Sequence, residues 1–154
     1  MPVRDGGKHL DIAVQSILEQ THSKLELIII DDHSTDQSIQ NLPQDPRITR
    51  LNNPGKGIID ALNFGLEHAL NQTDCEYVAR MDADDIAYPE RLTRQLEYQR
   101  KHAHISIVGA KVRMVGENVA EGYRHYEQWI NGLTTPKQIA LNMYVESPIP
   151  HPTV

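Results

Sequence analysis

Apolar side chains fall at helical spacing in some stretches of the chain and form short continuous runs in others. From residue 10 to residue 18, five apolar side chains follow the i, i+3, i+4, i+7, i+8 pattern, which predicts an amphipathic helix. Residues 25–30 (LELIII) form an apolar run that ends abruptly at two aspartates, which is typical of a buried strand. A second helix is predicted over residues 59–70, and a third begins near Pro89.

The rest of the chain continues this alternation. After Asp32 we predict a turn that leads into a short helix, and over residues 146–154 an extended, proline-rich segment. Strands are predicted at three further apolar runs: residues 47–51 (RITRL), 77–81 (YVARM) and 105–115. Helices are predicted at two further stretches: residues 123–133 and 136–144. Alternating strands and helices imply right-handed crossovers, so the predicted fold class is α/β, a mostly parallel sheet with flanking helices.

Two of the clearest predicted strands end in carboxylates. The run at residues 25–30 leads into Asp31 and Asp32, and the run at residues 77–81 leads into residues 82–85 (DADD). In a parallel sheet, ligands bind beyond the carboxyl ends of the strands. The two acidic groups are therefore the part of the sequence that most directly indicates a functional site.

Several interpretations of residues 82–85 compete. An EF-hand loop beginning at residue 82 would need particular residues at three later positions, where the chain has Ile86, Ala87 and Thr93, so this interpretation fails. A turn that caps the next helix, a carboxylate pair for glycoside hydrolysis and a site for Mg²⁺ or Mn²⁺ all remain open. A divalent metal would neutralise the charge of a diphosphate that an acidic protein would otherwise repel.

Other phosphate-binding motifs do not match. A P-loop ending at Lys56 would need glycine at position 50 and a hydroxyl residue at position 57, where the chain has Arg50 and Gly57. No G-x-G-x-x-G follows the first strand, which argues against a nicotinamide-dependent enzyme.

Composition narrows the class of protein further. The 154 residues include 15 Lys and Arg against 21 Asp and Glu, a net charge of −6, which argues against a nucleic-acid partner. No apolar run approaches the roughly 18 residues of a membrane span, and the beginning of the chain lacks the apolar core of a signal peptide. Cys75 is the only cysteine. We therefore expect a cytoplasmic protein.

A series of motifs in order along the chain resembles the family 2 inverting glycosyltransferases. These motifs are MPVRDG, SILEQT, ELIIIDDHSTD, DPRI, GIIDALNFGLEHA, YVARMDADDIAYPERL and VESPIPHPTV. The resemblance covers essentially the whole chain, and its most specific part is MDADD followed by PERL. It implies a GT-A fold, a nucleotide-sugar donor, most simply a UDP-sugar, and a saccharide or lipid-linked acceptor. It also implies that the protein acts at the inner face of a membrane, in surface-polysaccharide assembly.

The resemblance assigns roles to individual positions. Asp32 would hydrogen-bond the base, Asp82 would accept from the ribose hydroxyls, and Asp84 would ligate Mg²⁺ or Mn²⁺ together with Asp82. The donor nucleotide would be bound by Pro2, Val3, Arg4, Asp31, Asp32, Lys56, Gly57, Asp82 and Ala83. His151 would lie on the acceptor side, and His33 stands where the family usually has glycine. Asp85 would lie behind the metal ligands or cap the next helix.

The resemblance also implies how the chain is divided. Residues 1–116 correspond to the donor-binding part and residues 117–154 to the start of the acceptor side. The family's general base is expected beyond residue 154, and the strand that leads into Met1 is a stub of a normally central strand. We therefore expect reduced stability, or a self-association that covers this strand. A second hypothesis is a non-catalytic remnant that at most binds nucleotide and metal.

One further aromatic residue has two interpretations. Trp129 could pack in the core, which is the commoner role of a tryptophan, or stack on an acceptor sugar.

Overall fold

Residues 1–116 and 118–154 are described by a computed structural model, in which the chain separates into two units, Met1–Leu96 and Glu97–Val154. The predicted functional boundary between residues 116 and 117 lies later in the chain than this division. Residue 117 itself is outside the described residues, and the functional boundary stays a prediction.

The first unit contains a three-stranded parallel sheet with the strand order β1-β2-β3. Its strands are β1 (Pro2–Val3), β2 (Leu27–Asp31) and β3 (Ile48–Asn52). Val3 pairs with Asp31, and Asp31 pairs with Asn52, so all three strands end at the same edge. This confirms the predicted α/β class and the predicted strands at residues 25–30 and 47–51.

Two helices pack on the sheet, α1 (Gly7–Leu18) and α2 (Ile58–Gln72). The apolar stripe of α1 forms one core with alternate residues of β2, and this core consists of Val3, Leu10, Val14, Ile17, Leu27, Ile29, Leu42, Met81 and Ala87. On α2, a Cβ at Gly65 would lie 3.2 Å from Ile30 Cγ1. The helix therefore approaches β2 closely at a residue without a side chain.

The predicted helix after Asp32 is wrong, because residues 33–42 form a series of turns. Asp36 Oδ1 accepts hydrogen bonds from the backbone N–H and the hydroxyl of Ser38. This local bonding by a short polar side chain is an alternative to the helical hydrogen-bond pattern.

Two predicted strands are also wrong, although residues 77–81 and 105–115 are all described. The carbonyl of Arg80 accepts from the Arg91 guanidinium at 2.8 Å instead of from a neighbouring strand. In residues 105–115, side chains instead of a partner strand accept hydrogen bonds from alternate backbone N–H groups. These pairs are Ala110 with Thr153 Oγ1, Val112 with Asn131 Oδ1, and Met114 with Glu127 Oε2.

The remaining helices lie mostly in the second unit. They are α3 (Arg91–Lys101), which crosses the division at Leu96, α4 (Glu121–Gly132) and α5 (Pro136–Asn142). Thr135 and Gln138 form a reciprocal capping box at the start of α5. The end of the chain, predicted to be extended, contains one 3₁₀ turn at His151–Thr153. Among the described residues, no helix combines the length and the apolar character that a membrane span requires.

Candidate functional site

A buried aspartate joins the carboxyl ends of all three strands. Asp32 is 5% exposed, and its backbone N–H donates to the Val3 carbonyl at 2.7 Å. Its Oδ1 accepts from Asn53 Nδ2 at 2.7 Å. Both of its carboxylate oxygens also accept from the Gly57 N–H, at 2.9 and 3.0 Å. This carboxylate is therefore fixed by β1, β2 and the loop after β3.

These contacts determine the charge of Asp32. The hydrogen bonds from Asn53 and then from Gly57 hold the pKa of Asp32 below its ordinary value, against the opposing effect of burial. The positive charges of Arg4 and His33 act in the same direction. Asp32 is thus an ionised group that can only accept hydrogen bonds, and Oδ2 keeps capacity for a further donor.

The loops after β1 and β2 are tied together by two more carboxylates. Asp5 Oδ1 accepts from the backbone N–H and hydroxyl of Thr35, at 2.6 and 3.0 Å, and from the Asp36 N–H at 3.2 Å. In return, Asp36 Oδ2 accepts from the Gly7 N–H at 2.9 Å. The backbone next to the site is therefore held by reciprocal charge-assisted hydrogen bonds.

Asp31 and His33 shape the turn that follows β2. Asp31 Oδ1 accepts from the Ser34 N–H at 2.8 Å, which forms a local turn. His33 has a φ of 60°, in the left-handed region that favours glycine. Its Nε2 donates to the Gly55 carbonyl at 2.8 Å. The imidazole thereby connects the loop after β2 with the loop after β3.

The loop after β3 positions Gly57 at the start of α2. Asn53 Oδ1 accepts from the Gly55 N–H at 3.1 Å, and Asp60 Oδ2 accepts from the Lys56 N–H at 2.9 Å. Gly57 has a φ of 90°, a backbone conformation that disfavours other residues. This conformation lets its N–H reach Asp32, and the Lys56 residue is exposed beside it.

Residues 82–85 form an acidic segment of partly exposed carboxylates. Asp82 Oδ1 lies 3.0 Å from Arg80 Nη2, and Asp84 and Asp85 are exposed. Burial raises the pKa of Asp85, and the charges of Asp82 and Asp84 raise it further. The three carboxylates are therefore close enough to repel one another. Over the described ranges 1–116 and 118–154, no three His, Cys, Asp or Glu side chains are arranged to hold a metal ion.

The acidic segment lies beside the start of β1. Burial lowers the pKa of the Met1 amino group to about 6, the charge of Asp82 opposes this shift, and the charge of Arg80 adds to it. Met1 directly precedes β1, so Asp82 lies near the start of this strand. Arg4 follows the other end of the same strand.

The end of α1 holds the segment that follows residue 85. Gln20 is 5% exposed, and its Nε2 donates to the Tyr88 carbonyl at 2.8 Å. Gln20 Oε1 accepts from the Leu92 N–H at 3.0 Å, in the first turn of α3. Ser16 Oγ accepts from the Ala87 N–H at 3.0 Å. The motif SILEQT therefore acts as a clamp on the segment between the acidic residues and α3, and on the first turn of α3.

Arg91 binds the backbone that leads into the acidic segment. Its Nη2 donates to the Arg80 carbonyl at 2.8 Å, and its Nε donates to Gln95 Oε1 at 3.0 Å. Burial lowers the pKa of Arg91, and the charge of Asp85 opposes that shift. The guanidinium thus places a positive charge near Asp85.

The structure brings several of the predicted nucleotide-binding residues together at one edge of the sheet. Arg4, Asp32 and Gly57 are neighbours there. The Val3 side chain is buried in the core, so only its backbone faces this edge. His151 belongs to the second unit, where its Nε2 lies 2.9 Å from Ser147 Oγ. The binding roles assigned to these residues stay predictions.

Sequence reasoning missed three residues that organise this edge, Asp5, Asp36 and Asn53, and a fourth, Gln20, that holds the segment after residue 85. Asp5 and Asp36 had no assigned role, although they stand in motifs that carry the resemblance. Asn53 and Gln20 likewise had no assigned role, although Gln20 stands in the motif SILEQT. Asn53 in the sequence NNPG and Gln20 before Thr21 are polar residues next to apolar elements, which was the available signal.

Comparisons with known proteins give one consistent result. The family model described as Glycosyl transferase family 2 matches residues 1–151. The O-antigen biosynthesis glycosyltransferase WbnJ of Escherichia coli is 35% identical over 121 residues, which are 77% of this chain and 46% of that protein. The bifunctional glycosyltransferase pgtA of Dictyostelium discoideum is 37% identical over 119 residues, 73% of this chain and 15% of that protein.

Solved structures agree with these relatives. TarS of S. aureus in complex with UDP-GlcNAc is 25% identical, with a TM-score of 0.50, and covers 75% of this chain and 35% of that chain. The complex of TarS with UDP has a TM-score of 0.56 at 23% identity, which supports the fold. The chain spans less than half the length of the curated relatives named here.

Proposed function

The chain belongs to glycosyl transferase family 2, and from this premise we propose that its first unit binds the nucleotide of a nucleotide-sugar donor. The protein would transfer the sugar to a saccharide or lipid-linked acceptor with inversion at the anomeric carbon. The relatives are named as glycosyltransferases, and TarS was crystallised with UDP-GlcNAc. A UDP-sugar is therefore the proposed donor.

The fixed carboxylate of Asp32 is the observation that carries this proposal. An ionised carboxylate at the carboxyl edge of a parallel sheet can accept a hydrogen bond from a ring N–H of a base. Uracil has such an N–H, whereas the corresponding ring nitrogen of cytosine only accepts. We expect the site to bind UDP more tightly than CDP for this reason.

Asp82 and Asp84 are the residues proposed to hold Mg²⁺ or Mn²⁺. Their oxygens are hard ligands suited to these cations, and Asp84 is exposed. Burial is the main cause of the raised pKa of Asp85, and the charges of Asp82 and Asp84 add to it, so the carboxylates share one negatively charged region whose repulsion a cation would relieve. Such a metal, when bound, would neutralise charge on the diphosphate and favour its departure as a leaving group. Asp85 and Arg91 would then hold the metal ligands in place.

Calorimetric titration with UDP in the presence of Mn²⁺ tests the proposal. We expect saturable binding that falls at least tenfold in Asp32→Asn, since one oxygen acceptor is replaced by an amide donor. Asp11→Asn, an exposed position on α1, is the matched control and should leave the UDP affinity unchanged. Equal UDP affinity of Asp32→Asn and the control would contradict the proposed nucleotide site.

A binding protein without turnover is the competing hypothesis, and nucleotide binding alone does not distinguish it from an enzyme. Transfer also needs a base to remove the proton of the acceptor hydroxyl, and none of the residues described above is assigned that role. The distinguishing measurement is release of UDP from UDP-sugars by the 154-residue chain and by a longer version. Turnover by the short chain that is lost in Asp84→Ala would contradict the non-catalytic hypothesis.

A further inference from the structure

The second unit contains a hollow that the proposed nucleotide site does not use. It is lined by side chains from α4 and from the turn after α5: His125, Tyr126, Trp129, Val145 and Glu146. We name it the aromatic hollow. Tyr126 and Trp129 are half-buried, so Trp129 is not one of the buried core residues that the commoner interpretation predicted.

The two sides of α4 have different tasks. Glu127 and Asn131 bind the backbone of residues 112–114, with Asn131 both donating to and accepting from Val112. Ile130, which precedes Asn131 in the chain, is buried. At 100° per residue, Trp129 lies on the opposite side of α4 from Glu127 and Asn131. Its ring is thus not required to hold the helix against this segment.

The aromatic rings are held in a defined arrangement. The ring centroids of Tyr126 and Trp129 are 5.7 Å apart with an interplanar angle of 43°. Two adjacent rings of this kind form an apolar wall, and aromatic side chains lose little conformational entropy when a ligand packs on them. Small-molecule sites commonly combine such a wall with a few polar groups.

The polar groups at the hollow are suited to hydroxyl groups. Glu146 is an exposed carboxylate that can accept from two neighbouring hydroxyls, and the imidazole of His125 can donate or accept. A pyranose ring has an apolar face of C–H groups, which packs on aromatic rings, and an edge of hydroxyls, which a carboxylate binds. The combination of aromatic wall and carboxylate therefore fits a saccharide.

We propose that the aromatic hollow binds a pyranose ring of the saccharide acceptor. This inference rests on the proposed transferase function, because only that function identifies the saccharide as the acceptor. The competing occupant is another segment of a longer chain, because this chain covers only part of its relatives.

Fluorescence tests this proposal directly, since Trp129 is the only tryptophan in the sequence. The probes are glucose, galactose and N-acetylglucosamine, each as its β-methyl glycoside, added to the 154-residue chain. We expect at least one glycoside to change the Trp129 emission saturably in the millimolar range. Sorbitol, an acyclic polyol without a ring face, should give no saturable change.

Two variants identify the groups involved. Tyr126→Leu should abolish the saturable change, and Glu146→Gln should weaken it at least fivefold. Tyr123→Leu is the matched control, because Tyr123 is on the same helix and 63% exposed but does not line the hollow. Helix content by circular dichroism should be the same in all three. An undiminished response in Tyr126→Leu, or no saturable response to any of the three glycosides, would overturn the proposal.

The UDP titration separates this inference from the proposed function. UDP binding without a glycoside response would overturn the proposal that the aromatic hollow binds a saccharide and would leave the proposed nucleotide site unaffected. A glycoside response without UDP binding supports the hollow and contradicts the proposed donor site. In a longer version of the chain, protection of Trp129 from acrylamide in the absence of sugar would show that protein covers the hollow, which also overturns the proposal.

Discussion

Asn53 donates its side-chain N–H to the Asp32 carboxylate at 2.7 Å, and this buried hydrogen bond links the ends of two neighbouring strands. Asn53 in turn accepts from the Gly55 N–H, so one side chain fixes both the carboxylate and the loop that supplies Gly57. Such a network places an acceptor before any ligand arrives, which avoids the cost of ordering it during binding.

The first prediction concerns Asn53→Ala. Asn53 is 2% exposed, and truncation of a buried hydrogen-bonded side chain should lower the free energy of unfolding by about 1–3 kcal/mol. The affinity for UDP should fall about tenfold or more, because the Asp32 carboxylate loses a partner that orients it. Chemical denaturation and calorimetry measure the two effects. Asn52→Ala, at the exposed neighbouring position, should change neither quantity, and unchanged UDP affinity in Asn53→Ala would contradict the proposed role.

The second prediction separates the backbone of His33 from its ring. His33→Gly removes the hydrogen bond to Gly55 but relieves the left-handed conformation, so we expect little change in thermal stability. His33→Val loses the same hydrogen bond and places a β-branched residue at positive φ, which should cost about 1–2 kcal/mol. Both variants should bind UDP more weakly, since the loop after β3 is no longer tied to β2. Equal melting temperatures of the two variants would contradict this explanation of the turn.

The third prediction tests the clamp at the end of α1. Gln20→Ala removes the hydrogen bonds to the Tyr88 carbonyl and the Leu92 N–H, so the free energy of unfolding should fall by about 1–3 kcal/mol. The Mn²⁺-dependent part of UDP binding should weaken, although Gln20 is not one of the proposed ligands. Gln37→Ala, an exposed glutamine, is the control. A destabilised variant with unchanged Mn²⁺ dependence would restrict Gln20 to a purely structural role.

The fourth prediction concerns Asp84→Asn. Asp84 is exposed, so this change should leave the melting temperature almost unaltered. The gain in UDP affinity on adding Mn²⁺ should be lost, while binding without metal should persist through Asp32. Asp74→Asn, also exposed, should retain the full gain. Persistence of the Mn²⁺ effect in Asp84→Asn would contradict the assignment of the metal ligand.

Much of the fold was predictable because apolar periodicity reports burial directly. The stripe of α1 and the run at β2 gave both elements within a few residues, and the acidic carboxyl end of β2 indicated the site. The failures have a common physical cause. At Arg80 and at residues 110–114, side chains satisfy the backbone groups that a partner strand would otherwise bind. An apolar pattern in the sequence does not show whether a backbone group will bond to a side chain or to a neighbouring strand.

The acidic residues of the site were predicted from the sequence, but the residues that hold them and the neighbouring segment in place were not. Asp32 stands out in the sequence because a charge directly follows an apolar strand. Asn53 and Gln20 are ordinary polar residues, and their importance comes from contacts that are distant in the chain. Asn53 binds Asp32, 21 positions earlier, and Gln20 binds Tyr88 and Leu92, 68 and 72 positions later. Only the folded arrangement brings these pairs together.

The final prediction concerns acid stability at the opposite edge of the sheet. Asp45 binds the Arg47 guanidinium through both carboxylate oxygens, at 3.0 and 2.8 Å, and the Arg47 N–H at 2.9 Å. The hydrogen bond from the Arg47 side chain is the main reason that the pKa of Asp45 falls from 3.8 to about 2. A carboxyl group whose pKa is lowered by folding stabilises the native state above its unfolded pKa. This contribution is lost as the pH falls from about 4 to about 2.

Asp45→Asn should therefore make the free energy of unfolding less dependent on pH between about 4 and about 2. It should leave UDP affinity at neutral pH unchanged, because Asp45 precedes β3, whereas Asp32 lies at the carboxyl ends of the strands. Urea denaturation at a series of pH values measures the slope, with Asp11→Asn as the control. The slope will not vanish, since Asp5, Asp32 and Asp36 also have lowered pKa values. An Asp45→Asn variant with the parent slope would show that Arg47 does not hold this carboxylate in its charged form.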